Sequence, residues 1–269
     1  MITDYVTWNV SPEIFRMGSF AVRWYGLLFA SSFFLGYLIL FRIFKKENIP
    51  IKVLDGLTTY MVIGTVVGAR LGHCLFYEPA YYLSHPVKIL MVWEGGLASH
   101  GAGIGIILTI ILFSKINKMS FFWVIDRLVI IIALSGFLIR MGNLMNSEIF
   151  GIPTSLPWGF YFIRAALPGE IVIPRHPTQI YEGLSYLLIF GFLLWYYYRK
   201  KGKPEAGFIF GMSLALIFCM RFLIEFIKMP QVGFEEHLLL NMGQLLSIPF
   251  IVTGLVLIFY SKGLFKRKI

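Results

Sequence analysis

The chain has 269 residues, of which 58% are hydrophobic and only 14% are charged, and its formal net charge is +10. Soluble domains average about 45–50% apolar and ~25% charged residues, so this composition excludes an ordinary soluble domain and indicates a chain solvated by lipid. The basic residues flank apolar segments, where anionic headgroups and membrane topology account for them. We therefore expect no nucleic-acid partner.

The N-terminal segment MITDYVTWNVSPEIF lacks the basic region and small-residue cleavage site of a signal peptide, so we expect the first apolar segment to be retained as a helix. A membrane span needs about 20 predominantly apolar residues. Seven segments fit this pattern and are predicted to be helices: 20–44, 55–77, 97–114, 121–141, 178–198, 207–228 and 238–261. The sequence therefore predicts an all-α integral membrane protein of about seven transmembrane helices, forming a single transmembrane domain over 1–269.

The orientation follows from lysine and arginine, which are concentrated in every second connection, beginning with KKENIP. The other connections hold few of them, among them Lys228. Connections rich in lysine and arginine lie in the cytoplasm. The N-terminus is then predicted outside and the C-terminus in the cytoplasm, with an arm on the outer face around 142–177.

Five arginines fall within or at the edges of the apolar segments. A charge at the bilayer centre costs at least ~2.5–3.5 kcal/mol, so such residues normally line an interior or reach an interface. The predicted orientation puts four of them toward the outer leaflet and leaves Arg127, beside Asp126, at the inner face, where a local pair or snorkelling suffices. The arginines are Arg23, Arg70, Arg127, Arg140 and Arg221.

The densest polar motif is RMGNLMNSEIFG, from Arg140 to Gly151, where the fourth predicted helix leaves the membrane. Arg140 and Asn143 share a helical face by their i,i+3 spacing. Glu148 could fix the guanidinium and leave its other donors for a phosphate. The alternative is a polar helix cap and loop.

Two glycine-containing patterns lie in the second and third predicted helices. GGLASHGAGIG places His100 at its start, either as an exposed functional imidazole or as a structural histidine. Gly64 and Gly68 form a GxxxG pattern in the second predicted helix, which is typical of a helix-packing face.

Three further motifs have both a functional and a structural interpretation. RHPTQIYE places His176, Gln179, Tyr181 and Glu182 where the fifth predicted helix begins, and these residues could bind a ligand or anchor the interface. Arg221 and Glu225, spaced i,i+4, could form an ion pair or orient an anion-binding arginine. The RWYG motif, with Arg23 and Tyr25, could be an aromatic belt or a headgroup-binding cluster.

Arginines, amides and a histidine on one face suggest handling of a phosphate-bearing lipid. The sequence has no HExxH or other metal-ligand cluster and no GxSxG nucleophile motif, so an enzyme of this kind would act by positioning, charge neutralisation and proton transfer. A lipid or anion transporter could use the same arginines, although no internal repeat supports one. A non-catalytic lipid-binding scaffold is the third possibility.

These motifs closely resemble those of the bacterial prolipoprotein diacylglyceryl transferases, over essentially the whole chain. The resemblance is carried by RWYG at 23–26, GGLASHGAGIG at 95–105, RMGNLMNSEIFG at 140–151, RHPTQIYE at 175–182 and RFLIEF at 221–226. The third of these resembles the family's Arg-x-Gly-Asn-hydrophobic-x-Asn-x-Glu signature. One position departs: Ile217 stands where the family usually has a tyrosine, one turn before the arginine of the sixth helix.

The resemblance implies transfer of the diacylglyceryl group of phosphatidylglycerol to the lipobox cysteine of a preprolipoprotein signal peptide, with no cofactor or metal. It implies a multi-pass protein of the bacterial cytoplasmic membrane, surrounded by membrane lipids, with its site toward the outer side. We assign catalysis to His100, as the base for the thiol, and to Arg140 and Arg221, as phosphate ligands. Substrate-binding and bracing residues are Tyr25, Asn143, Asn146, Glu148, Gly151 and Glu225. Supporting residues are Arg23, Arg70, His176, Gln179, Tyr181 and Glu182.

Overall fold

The fold is mostly helical in the computed structural model, which describes residues 5–18, 20–167, 169–229 and 239–263. The helices are α1 (Trp24–Lys46), α2 (Ile51–Phe76), α3 (Pro79–Ser84), α4 (Ser99–Ile116), α5 (Phe121–Met145), α6 (Thr178–Arg199), α7 (Phe208–Ile224) and α8 (Met242–Ser261). The strands are β1 (Val6–Trp8), β2 (Glu13–Met17), β3 (Phe20–Arg23) and β4 (Phe160–Phe162).

Each of the seven predicted segments contains a long helix, and the prediction of an all-α integral membrane protein is confirmed. In the described ranges, six helices are long and apolar enough to cross a membrane, and α4 holds a shorter apolar stretch, His100–Ile116. Four boundaries differ by about one helical turn: residues 20–23 form β3 rather than the start of a helix, α2 begins at Ile51 rather than 55, α5 continues past 141 to Met145, and α7 ends at Ile224 rather than 228. Residue 238 lies outside the described residues. The orientation stays a prediction.

The predicted arm at 142–177 contains backbone pairing that the sequence analysis did not predict. Strand β4 pairs in parallel with β1, Val6 opposite Phe160, while β2 and β3 form an antiparallel pair. Phe160 and Phe162 are buried with Leu144, and the Trp8 Nε1 donates to the Leu144 carbonyl at 2.9 Å. The segment before α1 is thereby attached to the end of α5.

The chain forms two compact units, residues 40–125 and residues 1–39 with 126–269, whose boundaries fall inside α1 and α5. In the first unit, α2 and α4 pack through glycines. A Cβ on Gly68 would lie 2.5 Å from the Gly101 carbonyl oxygen, so only a bare backbone allows this approach. The packing face predicted from Gly64 and Gly68 is confirmed. The prediction of one transmembrane domain stays a prediction.

In the second unit, contacts at both ends of α6 give the directions of its neighbours. Near its C-terminus, Arg127 of α5 donates to the Gly202 carbonyl at 3.2 Å, and Phe208 of α7 stacks on Tyr196. At its N-terminus, Glu182 pairs with residues from the other ends of α5 and α7. Helices α5 and α7 therefore run parallel to each other and antiparallel to α6.

Candidate active site

Glu182, in the first turns of α6, is the centre of a buried charged cluster. Its side chain is 1% exposed. One carboxylate oxygen pairs with the Arg140 Nε of α5, and the other accepts from the Lys228 Nζ, just after α7, at 2.9 Å. The Tyr186 hydroxyl, one helical turn on, donates to Glu182 at 3.4 Å. A buried carboxylate is costly unless it is paired, so these contacts fix α5, α6 and the end of α7 to one another.

Lys228 also joins a second carboxylate. Its Nζ lies 3.4 Å from the Glu225 Oε2, and the Asn241 Nδ2 donates to the Glu225 carbonyl at 3.2 Å. Gly243 of α8 leaves the room for the Glu225 carboxyl group, because any Cβ there would overlap it. Helix α8 is thereby joined to the same cluster.

The ion pair proposed between Arg221 and Glu225 is not formed within the described part of the chain. Glu225 pairs instead with Lys228, three residues later. The reason is local: α7 ends at Ile224 and the chain continues as a 3₁₀ turn over Glu225–Ile227. In a 3₁₀ turn, residues i and i+3 lie on the same side.

An asparagine network extends from Arg140. The Arg140 Nη1 donates to the Asn143 Oδ1 at 3.0 Å, so the contact predicted from i,i+3 spacing is confirmed. Asn143 and Asn146 then donate to the same Glu148 oxygen, at 2.8 Å and 3.2 Å. The direct contact predicted between Glu148 and Arg140 was wrong, because Glu182 takes the guanidinium and Asn143 stands between.

The arginines retain binding capacity for an anion. Arg140 contacts Glu182 and Asn143 in the described structure, and a guanidinium group has five N–H donors. Arg221 makes no hydrogen bond or ion pair with any described residue, although its charge acts on Glu182 and Tyr186. Guanidinium groups bind phosphate oxygens through pairs of parallel N–H donors. The cluster therefore has both the charge and the donors that a phosphate needs.

Tyr25, near the start of α1, belongs to the same site. Its ring packs against Gly142 so closely that a Cβ on Gly142 would lie 2.8 Å from a ring carbon. The charges of Glu148 and Arg140 both act on its hydroxyl. The absence of a side chain at Gly142 thus brings this aromatic ring beside the Arg140 network.

Three residues between 151 and 179 brace the segment after α5. The Gln179 Nε2 donates to the Glu148 carbonyl at 2.7 Å, and the Thr178 hydroxyl donates to the Ile149 carbonyl at 2.8 Å. A Cβ on Gly151 would lie 2.7 Å from the His176 Cβ, so glycine permits this close backbone approach. Gln179 and Gly151 thus hold the Glu148 segment in place, and the site roles assigned to them from the sequence stay predictions.

His176 and Tyr181 form a separate contact nearby. The Tyr181 hydroxyl accepts from the Trp158 Nε1 at 2.9 Å and lies 3.3 Å from the His176 Nδ1. Partial burial lowers the pKa of His176 below its ordinary value, because desolvation disfavours the imidazolium. These side chains hold the loop against α6.

Three predicted residues lie apart from this cluster or in the other unit. Arg23 is exposed, and its Nη2 lies 4.0 Å from the Glu13 carboxylate. Arg70 belongs to the unit 40–125, is 3% exposed, and donates to backbone carbonyls of the connection between α3 and α4. His100, in the same unit, is exposed and stacks on Tyr77 with ring centroids 5.7 Å apart.

Sequence reasoning missed Lys228 and Tyr186 as members of the site. Lys228 was assigned only to a connection, although it follows Glu225 by three residues at the end of an apolar helix. Tyr186 follows Glu182 by four residues, which places them on one helical face. Within the described residues, no group of three or more His, Cys, Asp or Glu side chains is placed to hold a metal ion.

Comparison with known proteins identifies a single family. The family model described as prolipoprotein diacylglyceryl transferase matches residues 12–260. Relatives named phosphatidylglycerol–prolipoprotein diacylglyceryl transferase include one from Tolumonas auensis, 50% identical over 255 residues, covering 94% of this chain and 96% of the relative. Another, from Chloroherpeton thalassium, is 45% identical, covering 96% and 95%. A third, from Porphyromonas gingivalis, is 46% identical, covering 94% of each.

Proposed function

This chain belongs to the prolipoprotein diacylglyceryl transferase family, and from that premise we propose that it transfers the diacylglyceryl group of phosphatidylglycerol to prolipoproteins, the first step of lipoprotein maturation. The acceptor is the thiol of the lipobox cysteine. The protein acts in the bacterial cytoplasmic membrane, with its site toward the outer side. The single observation that carries the proposal is the buried cluster around Glu182. In it, the Arg140 guanidinium group has more N–H donors than its contacts with the protein use.

The reaction makes one bond and breaks one. The cysteine sulfur attacks the glyceryl carbon next to the phosphate, a C–S bond forms, and the C–O bond to phosphate breaks with its electrons on oxygen. The lipid phosphodiester carries one negative charge, and the departing glycerol phosphate gains a second. Cations beside this oxygen stabilise the transition state more than the ground state, which is the condition for a higher rate. Arg140 and Arg221 supply that charge.

The neighbours of Arg140 preorganise its guanidinium group. Glu182 orients Arg140 by pairing with the Arg140 Nε. Lys228 compensates the charge on the second oxygen of Glu182 and also pairs with Glu225. Asn143, Asn146 and Glu148 form one hydrogen-bonded chain beside Arg140 and bind the polar headgroup. The Tyr25 ring packs against Gly142 beside this network.

The thiol proton needs an acceptor, and we assign this role to His100 because of its motif and its exposed imidazole. A thiol has a reference pKa of about 8.5, so it is mostly protonated near neutral pH and a neighbouring base raises the fraction of thiolate. The thiolate is the nucleophilic form.

A mass measurement tests the proposed function. The purified protein, in vesicles containing phosphatidylglycerol, is incubated with a lipobox peptide, and the peptide is weighed. We expect a gain equal to one diacylglyceryl group, and no gain with a peptide whose cysteine is replaced by serine. A transporter or a lipid-binding scaffold would leave the peptide mass unchanged, and that result would refute the transferase assignment.

A further inference from the structure

Helix α7, which carries Arg221, begins without a cap of its own. The residue before it is Gly207, which has no side chain and a left-handed backbone, φ 81°. The first N–H groups of a helix have no partner inside the helix and need an acceptor. In α7 that acceptor comes from another helix: the Asp126 carboxylate of α5 accepts from the Gly207 and Phe210 N–H groups, both at 2.8 Å.

The contact between Asp126 and the start of α7 is buried and electrostatically favourable. Asp126 is 1% exposed, and a negative charge at a helix N-terminus is favoured by the helix dipole. The left-handed conformation of Gly207, which glycine adopts readily, accompanies the hydrogen bond from its N–H to Asp126. Arg127, the next residue, donates to the Gly202 carbonyl and faces the Tyr197 ring, and its charge also acts on Asp126. The carboxylate therefore serves α7 rather than forming only a local pair.

The contact between Asp126 and α7 is related to the candidate active site by an equal number of residues on the two helices. From 126 to 140 along α5, and from 207 to 221 along α7, there are fourteen residues. Both distances correspond to about 21 Å at 1.5 Å per residue. Because α5 and α7 run parallel, the contact between Asp126 and Gly207 places Arg140 and Arg221 at the same level along the helix axes.

We propose that Asp126 is a positioning residue that sets the axial register of α7 against α5 and so aligns Arg221 with Arg140. At the far end, α7 is joined to the cluster through Lys228 and Glu182. Arg221 itself has no hydrogen bond or ion pair with any described residue, so its position depends on how the helix is held. A slip of one residue would move it by about 1.5 Å and turn it by about 100°. A displacement of about 1 Å can cost about 100-fold in rate.

The test uses the full-length protein in phosphatidylglycerol vesicles and rests on the proposed function. Turnover by the wild-type protein tests that function. The ratio of the variant's kcat to the wild-type kcat tests only the role of Asp126. Asp126→Asn keeps the shape but puts an amide donor against one of the two N–H groups. We expect kcat to fall at least tenfold, with the KM for phosphatidylglycerol within about twofold. Glu205→Gln is the matched control: Glu205 lies near the same helix start, but its carboxylate pairs with Lys200 and Tyr196, and its loss should leave kcat unchanged.

A double-mutant cycle identifies the residue through which Asp126 acts. If it acts through Arg221, then Asp126→Asn combined with Arg221→Lys should be no slower than Arg221→Lys alone. Losses that multiply, or a kcat of Asp126→Asn equal to wild type, would overturn the proposal.

If Asp126→Asn does not fold, a conservative variant tests whether Asp126 sets the register of α7 or only caps it. Asp126→Glu keeps the charge and both acceptors but lengthens the side chain by one methylene group. A residue that only caps α7 would be replaced by glutamate with full kcat, which would overturn the proposal. A residue that sets the register should give a folded protein with reduced kcat.

Discussion

At the scale of single residues, the site depends on a carboxylate shared between two cations. Glu182 accepts from Arg140 and from Lys228 while almost fully buried. Removing one partner of such an arrangement leaves a buried charge without compensation, which typically costs 3–5 kcal/mol. The cluster therefore holds its side chains in place before any substrate arrives, which is what electrostatic preorganisation requires.

Arg140→Lys should lose most activity although it keeps the positive charge. An ammonium group cannot contact Glu182, Asn143 and a phosphate at once as the planar guanidinium can. We expect a loss of about 2–4 kcal/mol in transition-state stabilisation, by analogy with removal of one oxyanion donor. That corresponds to roughly 30- to 900-fold in rate. The measurement is kcat/KM in the vesicle assay.

Arg164→Lys is the control for this substitution. Arg164 is exposed and donates only to the Asn9 carbonyl at 3.3 Å in the described structure, so its replacement should leave kcat/KM unchanged. A folded Arg140→Lys protein with kcat/KM within twofold of wild type would show that Arg140 contributes only its charge, or nothing.

The residue-scale predictions succeeded where partners lie close in sequence. The contact between Arg140 and Asn143 follows from helical spacing alone. The partner of Arg140 was missed because Glu182 lies on another helix, and only tertiary packing brings the two together. Lys228 was missed for a related reason: it reaches Glu225 through a 3₁₀ turn, which the apolar pattern of α7 does not reveal.

At the scale of elements, the long apolar helices could be predicted and the strands could not. Hydropathy indicates spans because lipid requires every backbone group to be paired within the helix. Strands β1 and β4 have three residues each, and they pair across more than 150 positions of sequence. Such short segments carry too little alternation to stand out from a loop, so residues 142–177 were predicted only as an arm on the outer face.

The starts of α7 and α8 show the same division between local and tertiary control. Helix α8 begins with a capping box in which Asn241 and Gln244 bond each other's backbone N–H groups, a pattern that is visible in the sequence. Helix α7 is capped by Asp126, more than 80 residues earlier in the chain, and no motif next to α7 in the sequence predicts this cap. Four turns of helix separate that cap from the arginine that it positions.

At the scale of the whole molecule, the orientation in the membrane is the main prediction still to be tested. Single cysteines at Ser155 and Lys203, both exposed positions, in a background lacking Cys74 and Cys219, allow a direct comparison. The charge distribution predicts that an impermeant thiol reagent labels position 155 on intact cells, and position 203 only after permeabilisation. Stronger labelling at 203 on intact cells would reverse the orientation and move the proposed site to the cytoplasmic side.

The central claim is that the cluster around Glu182 receives the phosphate of the lipid. The most direct measurement is an experimental structure of the wild-type protein with phosphatidylglycerol bound. We expect phosphate oxygens about 2.7–2.9 Å from guanidinium nitrogens of Arg140, the range of charge-assisted hydrogen bonds, with Arg221 on the same phosphate and Glu182 still paired with Arg140 and Lys228. A lipid bound with its phosphate in contact with neither arginine, while the cluster remains intact, would contradict it.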